Sequence, residues 1–162
     1  RELEIGGKMV KRYTNYIETP IGRVWIEASD LGLTAITFRQ RIEEELIFNK
    51  HTNEAAKQLT EYFEGNRKTF HLTYDINGTE FRMKVWRELI KIPYGTTISY
   101  KELANRVGNP KAIRATGGAN NKNPLGIVIP CHRVIGADGS LVGYGEGLDK
   151  KKWLLDLESQ YK

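Results

Sequence analysis

Residues 99–121 read Ser-Tyr-Lys-Glu-Leu-Ala-Asn-Arg-Val-Gly-Asn-Pro-Lys-Ala-Ile-Arg-Ala-Thr-Gly-Gly-Ala-Asn-Asn. Ser99 and Glu102 have the spacing of a capping box, in which the hydroxyl accepts from the third backbone amide and the carboxylate reaches back. A helix is therefore expected from Ser99 through Val107, stopped by Gly108. Asn109-Pro110 restarts at once, with Asn as cap and Pro at the first helical position, for a second helix over Lys111 to Asn121. Two short helices joined by a Gly-containing turn form a helix-turn-helix. Adjacent Gly117 and Gly118 each weaken the second helix by about 1 kcal/mol relative to Ala, so close approach of another surface is the expected reason. Lys111 and Arg114 at its positive end suit a DNA groove.

Working outward, Thr79 to Lys91 carries Phe81, Val85, Trp86, Leu89 and Ile90 at helical spacing and stops before Pro93. Upstream, Asp75-Ile76-Asn77-Gly78 is turn-prone and marks the expected domain boundary, giving domains over 9–75 and 79–162. The first half has period two: Tyr13 to Ile17, then Val24, Ile26 and Ala28, then Leu33 to Phe38, broken by turns at Thr19–Gly22 and Ser29–Gly32. An antiparallel meander is expected there. A helix over Asn53–Glu64 capped by Thr52 or Asn53 should follow, then a short strand over Phe70–Tyr74. Met9 reads as a natural start, so residues 1–8 are expected to be an added segment without a role in the fold. The fold class is mixed α/β (α+β), a small sheet-plus-helix domain followed by a mainly helical one.

The 162 residues carry a net charge of +5, unevenly placed. Residues 1–80 hold 11 basic and 13 acidic side chains, net −2, and residues 81–162 hold 14 and 7, net +7. Between Lys101 and Arg133 the only acid is Glu102. This bias points to a polyanion partner for the second half. With no apolar run near the ~20 residues of a membrane span and no signal-peptide pattern, a soluble, cytoplasmic protein is expected.

The single Cys excludes an internal disulfide and any Cys-rich zinc site. It follows a strand-like apolar run, Leu125 to Ile129, in Ile129-Pro130-Cys131-His132-Arg133-Val134. Cys131 lies in the most basic stretch, where cations favour thiolate. His132 could serve as its base, with Glu146, Asp156 or Glu158 as the orienting acid.

These residues resemble the O6-alkylguanine-DNA alkyltransferase family. The resemblance rests on Pro130-Cys131-His132-Arg133-Val134, Asn123-Pro124, Arg114-Ala115-Thr116-Gly117-Gly118-Ala119, Ser99-Tyr100-Lys101-Glu102-Leu103-Ala104 and Trp153-Leu154-Leu155, in family order from about Phe81 to Glu158. It implies a ribonuclease-H-like first domain and a winged-helix-like second one. It also implies single-turnover transfer of an alkyl group from guanine O6, and from thymine O4 too, to Cys131. His132 would act as base through a water, oriented by Glu158. Tyr100 would bond the flipped base and help rotate the nucleotide. Arg114 would fill the gap in the duplex, with the small residues Ala115, Gly117 and Gly118 against the minor groove and Lys111 among the DNA-binding residues. Tyr144, the Gly145 amide and the carbonyls of Cys131 and Val134 would form the base pocket, and Asn123 would be structural. The implied partner is double-stranded DNA carrying O6-alkylguanine, bound by a monomer with no cofactor, no metal and no membrane. Thr116 stands where many relatives have Val, and Glu146 at the pocket rim bears on which adducts fit. A non-catalytic lesion-binding relative would lack Cys131, and a helix-turn-helix regulator would prefer a sequence over a lesion.

Overall fold

The computed structural model describes residues 2–39 and 46–162. The chain divides into two units, Arg1–Ile76 and Asn77–Lys162. The first opens with a hairpin, β1 (Glu2–Ile5) and β2 (Lys8–Lys11), turned by Gly6 and Gly7, both at positive φ. The expectation that residues 1–8 lack a fold role is thereby corrected. Gly-Gly between short runs that pair Leu3 with Val10 is the two-residue turn that hairpins prefer.

A three-stranded antiparallel sheet follows, β3 (Tyr13–Thr19), β4 (Gly22–Ala28) and β5 (Leu33–Thr37), with β4 central. Val24, Ile26 and Ala28 are buried, and α1 (Lys50–Phe63) supplies Ala55, Leu59 and Tyr62 to the core of this unit. α1 begins before the expected Thr52 or Asn53 cap. Asn49 caps it instead, accepting from the Thr52 amide at 2.9 Å while its Nδ2 donates to the Ser29 carbonyl at 3.0 Å. The expected strand over Phe70–Tyr74 reduces to one parallel bridge between Tyr74 and Leu33.

The second unit is mainly helical. α2 (Glu80–Ile90), capped by Thr79, packs on α4 (Ile113–Asn121), and the buried Trp86 Nε1 donates to the Ala119 carbonyl at 2.9 Å. α3 (Tyr100–Arg106) starts where expected, with the Ser99 hydroxyl accepting from the Glu102 amide at 3.0 Å. Glu102 reaches forward to Arg106 at 3.1 Å. α4 starts two residues later than expected, because Asn109 to Ala112 form a turn closed by the Ala112 amide on the Asn109 carbonyl. Lys111 therefore lies in the turn before the helix. β6 (Ile98–Ser99) pairs in parallel with β7 (Val134–Ile135), and α5 (Leu148–Tyr161) completes the unit. No helix among the described residues is long and apolar enough to cross a membrane.

Candidate active site

The run Leu125–Ile129 is not a strand but a series of tight turns. The Val128 amide donates to the Gly126 carbonyl at 2.8 Å across Ile127, which sits at φ +71. A β-branched residue in the left-handed region costs on the order of 1–2 kcal/mol and needs a surrounding structure that enforces it. Asn123 provides that, donating to the Ile129 carbonyl at 2.7 Å and accepting from the Leu125 amide at 3.0 Å. The chain then passes Pro130 into a single 3-10 turn, Cys131–Arg133. In this turn three consecutive side chains, Cys131, His132 and Arg133, are all buried.

The partner of His132 and Arg133 is Glu158, 1% exposed on α5. Its Oε2 accepts from His132 Nε2 at 2.7 Å and Arg133 Nη2 at 2.9 Å, and its Oε1 from Arg133 Nε at 2.7 Å and the Gly95 amide at 3.1 Å. Arg133 Nη1 also donates to the Ile92 carbonyl. Burial alone would raise the Glu158 pKa, but the donors on His132 and Arg133 outweigh it and hold the carboxyl well below its usual range. Burial lowers the His132 pKa; Glu158 opposes that while Arg133 and Lys151 reinforce it, and the imidazole ends below its ordinary value. With Nε2 donating to the carboxylate, Nδ1 is the acceptor nitrogen. It is buried and has no hydrogen-bond partner among the described residues.

The expectation that local cations make Cys131 a thiolate is corrected. Burial pushes its pKa up to about 11, against a lowering by the Asn123 hydrogen bond and Lys151. Burial penalises the charged form more than the nearby charges favour it, so the resting group is a thiol.

Lys151 was not singled out in the sequence, yet it is fully buried. Its Nζ donates to the Val134 and Val142 carbonyls at 2.5 and 2.7 Å, and burial pulls its pKa down to about 8. Its signal was present: Lys151, Leu154 and Glu158 fall on one face of α5, a register otherwise reserved for core residues. Tyr100 meets the same cluster, its hydroxyl within 2.9 Å of the Val142 carbonyl and 3.1 Å of that of Gly143. Burial raises its pKa to about 12. Tyr144 is buried, and its hydroxyl has no hydrogen-bond partner among the described residues. Gly145 is exposed and Glu146 half-buried, in a turn closed by the Gly147 amide on the Tyr144 carbonyl.

On α4, Arg114, Ala115, Gly118 and Asn121 are exposed, while Thr116, Ala119 and Asn120 are buried. The exposed set, which also includes Ile113, thus carries a guanidinium followed at 115 and 118 by residues with little side chain. A Cβ on Gly118 would meet nothing within 4 Å, whereas one on Gly117 would lie 3.7 Å from the Tyr100 ring. Gly117 therefore packs toward Tyr100 rather than on that open stripe. Asn120, also missed in the sequence, donates to the Cys131 carbonyl at 3.4 Å. Among the described residues no three His, Cys, Asp or Glu side chains converge as a metal site would require.

A buried thiol next in sequence to a carboxylate-bound imidazole thus lies on the same unit as the exposed Arg114 of α4. Residues 80–160 match the family model of the 6-O-methylguanine DNA methyltransferase DNA-binding domain, and residues 12–76 that of its ribonuclease-like domain. This chain belongs to the 6-O-methylguanine DNA methyltransferase family. A relative from Methanosarcina barkeri, the methylated-DNA--protein-cysteine methyltransferase, is 48% identical over 152 residues, covering 90% of this chain and 96% of the relative. The Mycobacterium tuberculosis O6-methylguanine methyltransferase structure matches with TM-score 0.85 and 39% identity over 94% of this chain and 95% of that one. A structure of the same organism's protein in complex with DNA matches equally well, TM-score 0.85 and 39% identity, over 92% and 94%.

Proposed function

We propose that this chain is a DNA repair methyltransferase that transfers a methyl or small alkyl group from guanine O6, and from thymine O4, to its own Cys131, once per molecule. The observation that carries the reading is the His132–Glu158 pair. It leaves a buried imidazole acceptor, Nδ1, next in sequence to a buried thiol. In this mechanism Nδ1 takes the thiol proton through a bridging water, and Glu158 stabilises the imidazolium that results. Sγ then bonds the alkyl carbon as the carbon–O6 bond breaks, and the electron pair leaves on guanine. The Gly145 amide donates to O6, and Tyr100 donates to the base. In the free protein the Tyr100 proton is directed at the Val142 and Gly143 carbonyls, so docking of the base redirects it. The Val134 carbonyl, already accepting from Lys151, has a second lone pair for the guanine amine, while the Cys131 carbonyl, which accepts from Asn120 Nδ2 and the Val134 N–H, exchanges the longer Asn120 bond for the amine. Tyr144 lines the pocket.

The substrate is double-stranded DNA approached through the minor groove by the exposed stripe of α4. A base cannot be attacked at O6 within the stack, so it is extruded. Arg114 takes its place, since a planar guanidinium stacks well. Lys111 contacts phosphate from the turn before the helix. The protein acts as a monomer, in the cytoplasm, with the transfer machinery in the domain over 79–162. Asn123 shapes the loop that presents Cys131.

Mixing the protein with an oligonucleotide bearing O6-methylguanine and weighing it should show one added methyl per chain, on Cys131. Repair that leaves the protein unmodified, or repeated turnover, would overturn the proposal.

A further inference from the structure

Asn120 is 1% exposed, on the inner face of the helix whose outer face carries Arg114. A buried carboxamide at a helical position that Leu or Ala fills better needs hydrogen bonds to offset its desolvation. Asn120 is poorly served in this respect. Its Nδ2 donates to the Cys131 carbonyl at 3.4 Å, well beyond the usual length of ~2.9–3.0 Å. Its Oδ1 is buried without a hydrogen-bond partner among the described residues. Packing alone does not account for an amide here, and its one contact on the base pocket does.

The Cys131 carbonyl has two lone pairs, and both are in use in the free protein. One accepts from the Val134 amide, which closes the 3-10 turn, and the other from Asn120. Guanine carries an exocyclic amine, which reaches this carbonyl only by displacing one of the two donors. The Val134 amide cannot leave without unwinding the turn, whereas the Asn120 bond is long and hangs on a side chain. We propose that Asn120 is a specificity-determining residue: its amide holds the place of the guanine amine at the Cys131 carbonyl, yields it when guanine docks, and keeps it when the docked base has no amine. This deepens the alkyl-transfer reading and rests on it.

The exchange sets how much the amine is worth to the protein. When guanine docks, its bond to the carbonyl is offset by the loss of the Asn120 bond, and the released Nδ2 still has the Tyr100 hydroxyl within hydrogen-bonding reach. When a base without the amine docks, Asn120 stays in place and the buried carbonyl keeps its second donor, so the costly unpaired state is avoided. The pocket thereby tolerates a base lacking the amine, as transfer from O4-alkylthymine requires.

The test times single-turnover transfer on two duplexes that differ only in the lesion, O6-methylguanine and O6-methylhypoxanthine, the second being the same base without its amine. The readout is the ratio of the two rates, in wild type and in Asn120→Leu, which keeps the branched shape and loses the donor. With no amide to stand in, the variant depends on the amine more strongly, and its ratio should exceed that of wild type about two- to tenfold, the worth of one hydrogen bond. If Asn120→Leu fails to fold, the smaller Asn120→Ala should move the ratio in the same direction. A side chain with only a packing role would slow both duplexes alike. A ratio that stays level or falls in a folded variant therefore overturns the proposal. Wild-type protein that transfers from neither duplex sinks the repair reading itself, whereas transfer with an unmoved ratio sinks the role of Asn120 alone.

Discussion

Glu158→Gln isolates the residue on which the site converges. Four N–H donors end on its two oxygens, from His132, twice from Arg133 and from the Gly95 amide. The amide replaces one acceptor oxygen by a donor, so at least two of those donors then face an N–H group. Arg133, 6% exposed, also loses its countercharge. Breaking one side of a buried ion pair costs about 3–5 kcal/mol. At roughly 2–4 °C per kcal/mol for a chain of this size, the melting temperature should fall by about 6–20 °C. Transfer should slow by about 10²–10⁴-fold, because the imidazole loses the group that fixes its tautomer and supports its charge. The pH dependence has a definite sign. The folded carboxyl is held below its unfolded value, so its contribution is complete above the ordinary Glu range near ~4.3 and is lost as pH falls below it. Glu158→Gln should therefore show a shallower acid loss of stability than wild type. Urea unfolding followed by Trp fluorescence at pH 7 and pH 4, with single-turnover methyl transfer, measures all three. A stability loss under about 1 kcal/mol with transfer close to wild type would refute the reasoning.

Gly143→Ala should cost about 2–3 kcal/mol in thermal or urea unfolding. Its φ is +68, and the added Cβ would lie 2.7 Å from the Tyr100 hydroxyl, displacing a group bonded to two carbonyls. Gly108→Ala is the control, with φ +82 but open space around the Cβ, and should cost only about 1–2 kcal/mol; equal losses would mean that the contact with Tyr100 contributes nothing. Asn123→Ala removes the bonds that hold the strained turn at Ile127 and one that lowers the Cys131 pKa. It should destabilise by about 2–3 kcal/mol and make the thiol less reactive toward iodoacetamide, and unchanged reactivity would contradict that. Cys131→Ala should abolish transfer and retain binding to methylated duplex, with affinity falling as salt rises; lost binding, or affinity flat in salt, would place the docking face elsewhere.

Local signals were legible wherever one residue decides one backbone position. Ser99, Thr79 and Gly108 mark helix ends because a cap or a left-handed glycine acts over three or four residues. The misreadings come from side-chain contacts that residue type and spacing do not show. Asn49 rather than Thr52 caps α1, and its amide also reaches Ser29. The apolar run 125–129 is strand-like in composition, but with Asn123 binding its carbonyls it folds into turns. For Gly117 the sequence predicts close approach of another surface, and in space the Tyr100 ring lies 3.7 Å from where its Cβ would stand.

The chain by itself determined the segregation of charge, the helix pair and the singular Cys131 beside His132, since all three are written in residue type and spacing. Residue type and spacing left three acids open as the partner of His132, and the tertiary structure brings Glu158, the one the family resemblance implies, onto the imidazole, 26 positions along the chain. Tertiary structure also decided the state of the thiol. Neighbouring cations in the sequence argue for thiolate, but the free energy of a charge depends on how much water its surroundings exclude. That exclusion is set by the 3-10 turn in which Cys131 is buried and by the residues packed around it.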